Sequence, residues 1–234
     1  LLDAISKLKF KKSVKFFQAS TSEMYGNQKK TLNENSIFEP VSPYASAKLL
    51  AYWNTKIYRQ AYGIFASNGI MFNHESSERG ENFISKKTTK AVAEISLGLR
   101  DILYVGNLNS YRDWGYAGDY VEAMWKIMQY KKPDDFVIAT NKTHSVRRFI
   151  EIAFKRVGIK IIWKGKGINE VGFEKKSKKI LVKVDKIYFR PNEVEYLKGN
   201  YSKINKLIGW KPKMTFEKLV NKMVDYDLKK LKNK

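Results

Sequence analysis

Along the first 140 residues, short apolar runs alternate with longer stretches in which apolar positions recur every three or four residues. The runs at 14–17, 65–72, 102–105 and 136–139 predict strands, and the stretches at 43–62, 82–99 and 117–129 predict helices. Strict alternation of this kind predicts an α/β fold with a parallel, helix-covered sheet. The helix at 43–62 has its start written out, because Ser42 suits the N-cap and Pro43 the first helical position. After 140 the rhythm changes to a helix at 146–157, a strand at 159–163, a lysine-rich loop and hairpin over 164–186, and short helices after 190. The chain closes on an amphipathic helix in which Phe216, Leu219, Val220, Met223 and Val224 follow a Thr215 cap. That stripe reads as a packing face, not a membrane or partner surface. No internal repeat or low-complexity linker interrupts the chain.

Composition narrows the classes. With 234 residues, 43% of them hydrophobic, the chain can bury a substantial core. It has no cysteine, which excludes disulfides, thiolate metal sites and a cysteine nucleophile, and its two histidines, His74 and His144, lie too far apart to suggest a metal cage. There is no apolar run of transmembrane length and no signal-peptide pattern, so a cytoplasmic location is expected. The formal charge of +22 raises nucleic acid as a partner. Yet lysines outnumber arginines 37 to 8, scattered without a nucleic-acid-binding motif, whereas base-reading surfaces favour arginine forks. The charge is therefore read as a solvated surface that would also attract phosphorylated ligands.

The chemistry concentrates in two places. Ser20-Thr21-Ser22-Glu23 ends the first strand region with hydroxyls and a carboxylate, and Tyr44-Ala45-Ser46-Ala47-Lys48 opens the following helix. Four-residue spacing puts Tyr44 and Lys48 on one helix face. An ammonium beside a phenol favours the phenolate, the tuning a general base needs. A lone YxxxK is equally compatible with an ordinary helix turn. It is the strand-end Thr-x-Glu one connection upstream that makes a catalytic constellation of it, since consecutive elements of a parallel sheet are neighbours.

The segments STSEMYG, SPYASAK, NGIMFNHESSERGENF, YVGNLNSYRDWGYAGDYVEAMW, DDFVIAT, YFRPNEVEYL and GWKP, in that order, resemble the GDP-mannose 4,6-dehydratases of the extended short-chain dehydrogenase/reductase family. The resemblance implies a partial doubly wound, Rossmann-type parallel sheet with a smaller mixed α/β domain for the nucleotide sugar. It assigns 1–72 and 113–140 to the sheet domain, and 73–112 and 141–234 to the substrate domain. It also implies a GxxGxxG phosphate turn, which none of the fourteen glycines forms; Gly115-Tyr116-Ala117-Gly118 comes nearest. With an opening LLDAIS that reads as mid-helix, the expectation is a chain lacking an N-terminal cofactor-binding half and inactive as given.

In residue terms, the resemblance makes Tyr44 the base at the sugar C4 hydroxyl, Lys48 its partner and a hold on the nicotinamide ribose, Thr21 a hydrogen-bond partner of the C4 oxygen, and Glu23 the base at C5 and acid at C6. A carboxylate at 23 suits a dehydratase, because a C4 epimerase needs no base at C5; Thr21-Ser22-Glu23 differs from the Thr-Asp-Glu of glucose-type dehydratases. His74 and Arg79 are expected at the dinucleotide, taken as NADP, with a helix cap as the alternative for His74. Asn73, Lys87, Arg112, Arg190 and Glu193 are expected around GDP-mannose, where arginines can grip a diphosphate; for Arg112 the alternative is stacking on Trp114. A homo-oligomer of dimer or tetramer size is implied, without metal. A related nucleotide-sugar epimerase or reductase, or a non-catalytic nucleotide-sugar-binding module, would share many of these features.

Overall fold

The computed structural model describes residues 1–189 and 194–233, and the chain divides into two compact units. The first comprises Leu1–His74, Arg112–Thr143 and Tyr196–Lys213. Its centre is a parallel sheet ordered Lys15–Thr21, Phe65–Met71, Asp135–Ile138. Register aligns Thr21 with Met71, and Met71 with Ile138, so the three strands finish level at their carboxyl ends. Alternate residues divide the two faces. Phe17, Ala19, Met71, Phe136 and Ile138 meet Tyr120, Ala123 and Ile127 of the Ala117–Gln129 helix. Ser20, Asn68 and Asp135 face the Pro43–Tyr62 helix, to which they are hydrogen-bonded directly or through one another.

The predicted helices at 43–62 and 117–129 stand as read, while the strand expected at 14–17 runs on to Thr21. Its continuation, Gln18-Ala19-Ser20-Thr21, looks too polar for a buried strand. It is held because every one of its residues pairs with the largely buried Phe65–Met71 strand, and because Ser20 finds a partner in Asn68 at 3.1 Å. A second difference concerns Tyr196–Lys213, grouped from sequence with 141–234. Ile204 and Trp210 complete the cluster of Tyr120, Phe136 and Ile138, and the Trp210 indole donates to the Asp119 carbonyl at 2.9 Å. The segment thus belongs to the first unit. Asp113 secures the same region: its carboxylate accepts from the Thr140 amide (2.8 Å) and hydroxyl (2.6 Å) and from the Gly199 amide (3.2 Å).

The second unit comprises Glu75–Tyr111, His144–Glu195 and Met214–Lys234. Leu103–Val105 pairs parallel with Ile180–Val184, which pairs antiparallel with Val171–Glu174 and through it with Ile161–Lys164. The expected hairpin is present, joined by a strand that starts two residues later than predicted. Three helices, Ile84–Ser96, Val146–Arg156 and Phe216–Lys232, pack together. The last buries Leu219, Val220, Met223 and Val224 as its spacing predicts, and the Thr215 hydroxyl caps it by accepting from the Lys218 amide. On the same helix Asp227 is buried too. It accepts from Lys86 at 2.5 Å and from Thr89 at 2.7 Å, which fixes the helix against Ile84–Ser96.

Candidate active site

The strand Lys15–Thr21 delivers Thr21 to the level carboxyl end of the sheet, where the chain turns into a single 3-10 turn, Ser22–Tyr25. Thr21 caps that turn: its hydroxyl oxygen accepts from the Glu23 amide at 3.2 Å, which leaves the hydroxyl proton for donation elsewhere. Ser22, Met24 and Tyr25 are buried, so the turn is anchored by the residues on either side of Glu23, itself only half-buried. Gly26 then closes it at φ +67, where a β-carbon would collide with the Glu39 carbonyl.

Ser42 and Pro43 start the next helix as predicted, with the Ser42 hydroxyl accepting from the Ala45 amide at 3.1 Å. Tyr44 in its first turn is 52% exposed. One turn on, Lys48 donates to the Ala19 carbonyl at 2.9 Å while its ammonium lies 5.9 Å from the Tyr44 ring centre. A single lysine therefore ties the phenol-bearing turn to the strand that ends in Thr21. Two neighbouring tyrosines are unsuited to proton transfer. Tyr25 donates to the Asn33 carbonyl, and burial pushes its phenol upward; burial and the adjacent Asp135 carboxylate do the same to Tyr52.

Beyond the end of Phe65–Met71 come Asn73 and His74, both half-buried. The His74 Nδ1 lies 2.8 Å from the Phe72 carbonyl, which can only accept, so the proton sits on Nδ1; the ring stacks on Tyr120 at 5.1 Å. Phe83 holds the N-cap position of the Ile84–Ser96 helix, and its side chain makes no capping bond. Arg112 is half-buried in the short strand Tyr111–Arg112. Thr21, Glu23, Tyr44, Lys48, Asn73, His74 and Arg112 thus all lie in the first unit.

Arg79 and Lys87 lie in the second unit. Arg79 ion-pairs with buried Glu75 at 3.1 Å, in distance though not in hydrogen-bond angle, and its guanidinium stacks 3.5 Å over Phe83. Burial raises the Glu75 carboxyl, while Arg79 and the Ser85 hydroxyl at 2.6 Å pull it back. The Lys87 ammonium lies 3.1 Å from the Tyr188 ring centre. Arg190 and Glu193 fall outside the described residues.

What could hold a dinucleotide here is one end of it. Tyr44 and Lys48, beside a strand end, fit a nicotinamide ribose. The glycines closest to a phosphate turn do not fit a pyrophosphate, because a β-carbon at Gly115 would strike the Tyr120 ring and one at Gly118 the Tyr116 ring. Both make room for aromatics of their own helix start. Sequence reasoning missed a buried polar cluster on the sheet face beneath the Pro43–Tyr62 helix, formed by Tyr52, Arg59, Asn68 and Asp135. Its signal was present in Asn68, a polar residue in mid-strand, and in Tyr52 and Arg59, which continue the helix face of Tyr44 and Lys48.

A family model described as GDP-mannose 4,6 dehydratase matches residues 1–223. A GDP-mannose 4,6 dehydratase from Dictyostelium discoideum is 51% identical over 234 residues, 100% of this chain and 66% of the relative. The one from Homo sapiens is 49% identical over 229 residues, covering 97% of this chain and 62% of its own length. The chain thus spans less than two thirds of these relatives. Among solved structures, RMD from Pseudomonas aeruginosa complexed with NADPH has a TM-score of 0.79 at 18% identity, covering 93% of this chain and 68% of its own. A dTDP-glucose 4,6-dehydratase from Bacillus anthracis in complex with NAD has a TM-score of 0.78 at 20% identity, over 98% and 66%. At these identities the structural likeness shows the fold, a Rossmann-type α/β architecture.

Proposed function

Because the chain belongs to the GDP-mannose 4,6 dehydratase family, we propose that the protein it comes from removes water from GDP-mannose to give GDP-4-keto-6-deoxymannose. The observation that carries this reading is the tether of Lys48 to Ala19, which sets a half-exposed phenol next to a strand ending in Thr21 and Glu23. NADP, when bound, supplies the store for the hydride that leaves C4 and is returned at C6. Tyr44 takes the C4 hydroxyl proton, and Lys48 stabilises the phenolate that accepts it. Thr21 donates its remaining hydroxyl proton to the C4 oxygen. With C4 a ketone the C5 proton is acidic. Glu23 removes it, and the same carboxyl then protonates the C6 oxygen as it departs as water. Return of the hydride to C6 is matched by a proton delivered to C5, which offsets the one taken from the C4 hydroxyl, so the sugar loses one H₂O and no net electrons.

His74 and Arg79 are assigned to the dinucleotide, and Asn73, Lys87, Arg112, Arg190 and Glu193 to GDP-mannose. NADP over NAD rests on Arg79 as a partner for a 2′-phosphate. A homo-oligomer is supported by apolar stripes left bare on two helices: Leu50, Trp53 and Ile57 on Pro43–Tyr62, and Val121 and Trp125 on Ala117–Gln129. Among the described residues no helix is long and apolar enough to cross a membrane, and we place the enzyme in the cytoplasm. The test is incubation of the full-length encoded protein with GDP-mannose and NADP, followed by mass spectrometry. Loss of one water from the nucleotide sugar is expected. An isobaric product would instead mean an epimerase, and unchanged GDP-mannose a binding module.

A further inference from the structure

The helix that carries Tyr44 and Lys48 is bolted to the sheet at three levels. At its start Lys48 donates to the Ala19 carbonyl of the first strand (2.9 Å). Near its end Arg59 donates to the Ala66 carbonyl of the middle strand (3.0 Å). Between these, Tyr52 and Arg59 both reach Asp135, the first residue of the third strand.

Asp135 accepts four hydrogen bonds. Arg59 forks onto both carboxylate oxygens, at 2.8 and 3.0 Å; Asn68 Nδ2 adds a second bond to Oδ1 at 2.8 Å, and the Tyr52 hydroxyl a second to Oδ2 at 3.0 Å. Four acceptor positions are thereby filled, the full capacity of a carboxylate. Asp135, Tyr52 and Asn68 are buried and Arg59 nearly so. Burial alone would raise the carboxyl, but the Arg59 and Asn68 hydrogen bonds outweigh it and hold it below its ordinary range. Asn68 also continues the cluster toward the reacting end. Its Oδ1 accepts from Ser20, the residue before Thr21, and its Nδ2 approaches the Tyr52 carbonyl.

A core that needed only to be filled would not spend a guanidinium, a carboxylate, an amide and a phenol here. Apolar side chains of similar volume usually serve stability as well or better. What the polar cluster adds is direction, because each bond works at one helix height and one strand register. We propose that the Tyr52–Arg59–Asn68–Asp135 cluster is a positioning device that sets Tyr44 and Lys48 in height and register against the strand end bearing Thr21, and so governs the proton transfer at the sugar C4 oxygen.

This inference rests on the catalytic reading above. Its decisive variant is the double substitution Arg59→Met with Asp135→Leu, which removes both charges together and strands neither in the core. Tyr52→Phe is the milder second variant, deleting one hydroxyl. In the full-length encoded protein, the double variant should stay folded at the assay temperature and keep the parent's KM for GDP-mannose, with a lowered melting temperature because the buried Tyr52 hydroxyl loses its acceptor. Its kcat should fall on the order of 10²-fold, the cost expected from misplacing a reacting group by about 1 Å, and Tyr52→Phe should lose less. A second readout needs no turnover. Amide hydrogen exchange over residues 43–48 should quicken in the double variant, while the amides of Phe65–Met71 stay protected. A double variant with parental kcat, or with unaltered exchange over 43–48, overturns the proposal. Should the parent release no water from GDP-mannose, the catalytic reading fails on its own, and the exchange experiment still decides whether the cluster positions Tyr44.

Discussion

At the scale of single residues, Tyr44 and Glu23 hold separable roles. In the proposed mechanism Tyr44 acts at C4, and Glu23 at C5 and C6 once C4 is a ketone. Glu23→Gln keeps the size and hydrogen bonding of the side chain but removes the base. Exchange of the C5 proton with deuterated solvent should therefore fall on the order of 10² to 10⁴-fold at unchanged melting temperature. Tyr44→Phe should abolish C4 oxidation and C5 exchange together, since exchange depends on the ketone. Exchange at the parent rate in Glu23→Gln would remove Glu23 from its role. Asp113 provides a test of a different kind. Burial pushes its carboxyl up to about 6, against hydrogen bonds from Thr140 and Gly199 that favour the charge. A raised folded-state value means that the folded chain binds more protons than the unfolded one between about pH 4 and 6, so stability falls as pH rises through that window. The amount is on the order of 3 kcal/mol. In Asp113→Asn that decline should vanish whatever constant offset the amide brings, and thermal unfolding from pH 4 to 7 measures it. A parent-minus-variant difference that stays flat would contradict the shift.

At the scale of elements, what was legible in the sequence was local, and what was not depended on partners distant in the chain. Ser42, Pro43 and Thr215 announce their helices because capping involves only the next few amides. The strand that reads as 14–17 ends instead at Thr21, because the pairing that accommodates Gln18 and Ser20 comes from residues fifty positions away. Asp135 and Asn68 were passed over for the same reason: alone each is a polar residue in an apolar run, and only register brings them together. Lys86 and Asp227 are a further instance, separated by 141 positions and both buried. Removing one partner of such a pair leaves a buried charge unpaired, at a cost of about 3 to 5 kcal/mol. Lys86→Met should accordingly lower the melting temperature sharply, and adding Asp227→Leu should restore most of it. A double variant as unstable as the single one would mean that the loss comes from packing around the lysine stem.

For the molecule as a whole, family membership was legible from motif order, whereas the return of Tyr196–Lys213 to the first unit through Ile204 and Trp210 was not. The first unit shows a three-stranded part of a Rossmann-type sheet with the catalytic candidates at its carboxyl end, and the 234 residues include no GxxGxxG turn. A dinucleotide gains much of its hold from a pyrophosphate resting on such a turn and on the helix N-terminus behind it. On the proposed reading Tyr44 and Lys48 hold only the ribose end of a dinucleotide, and the net charge of +22 attracts any phosphate without orienting it. Residues 1–234 alone are therefore expected to show no saturable NADP binding by calorimetry at physiological salt. Whatever heat appears at low ionic strength should be shared by inorganic pyrophosphate and disappear as salt is added, because unoriented charge attraction is screened within about 10 Å. Circular dichroism on the same sample establishes that the chain is folded. Saturable, micromolar NADP binding that survives salt and is not displaced by pyrophosphate would mean that these residues hold a complete dinucleotide site, and that the pyrophosphate is gripped by groups other than a glycine turn.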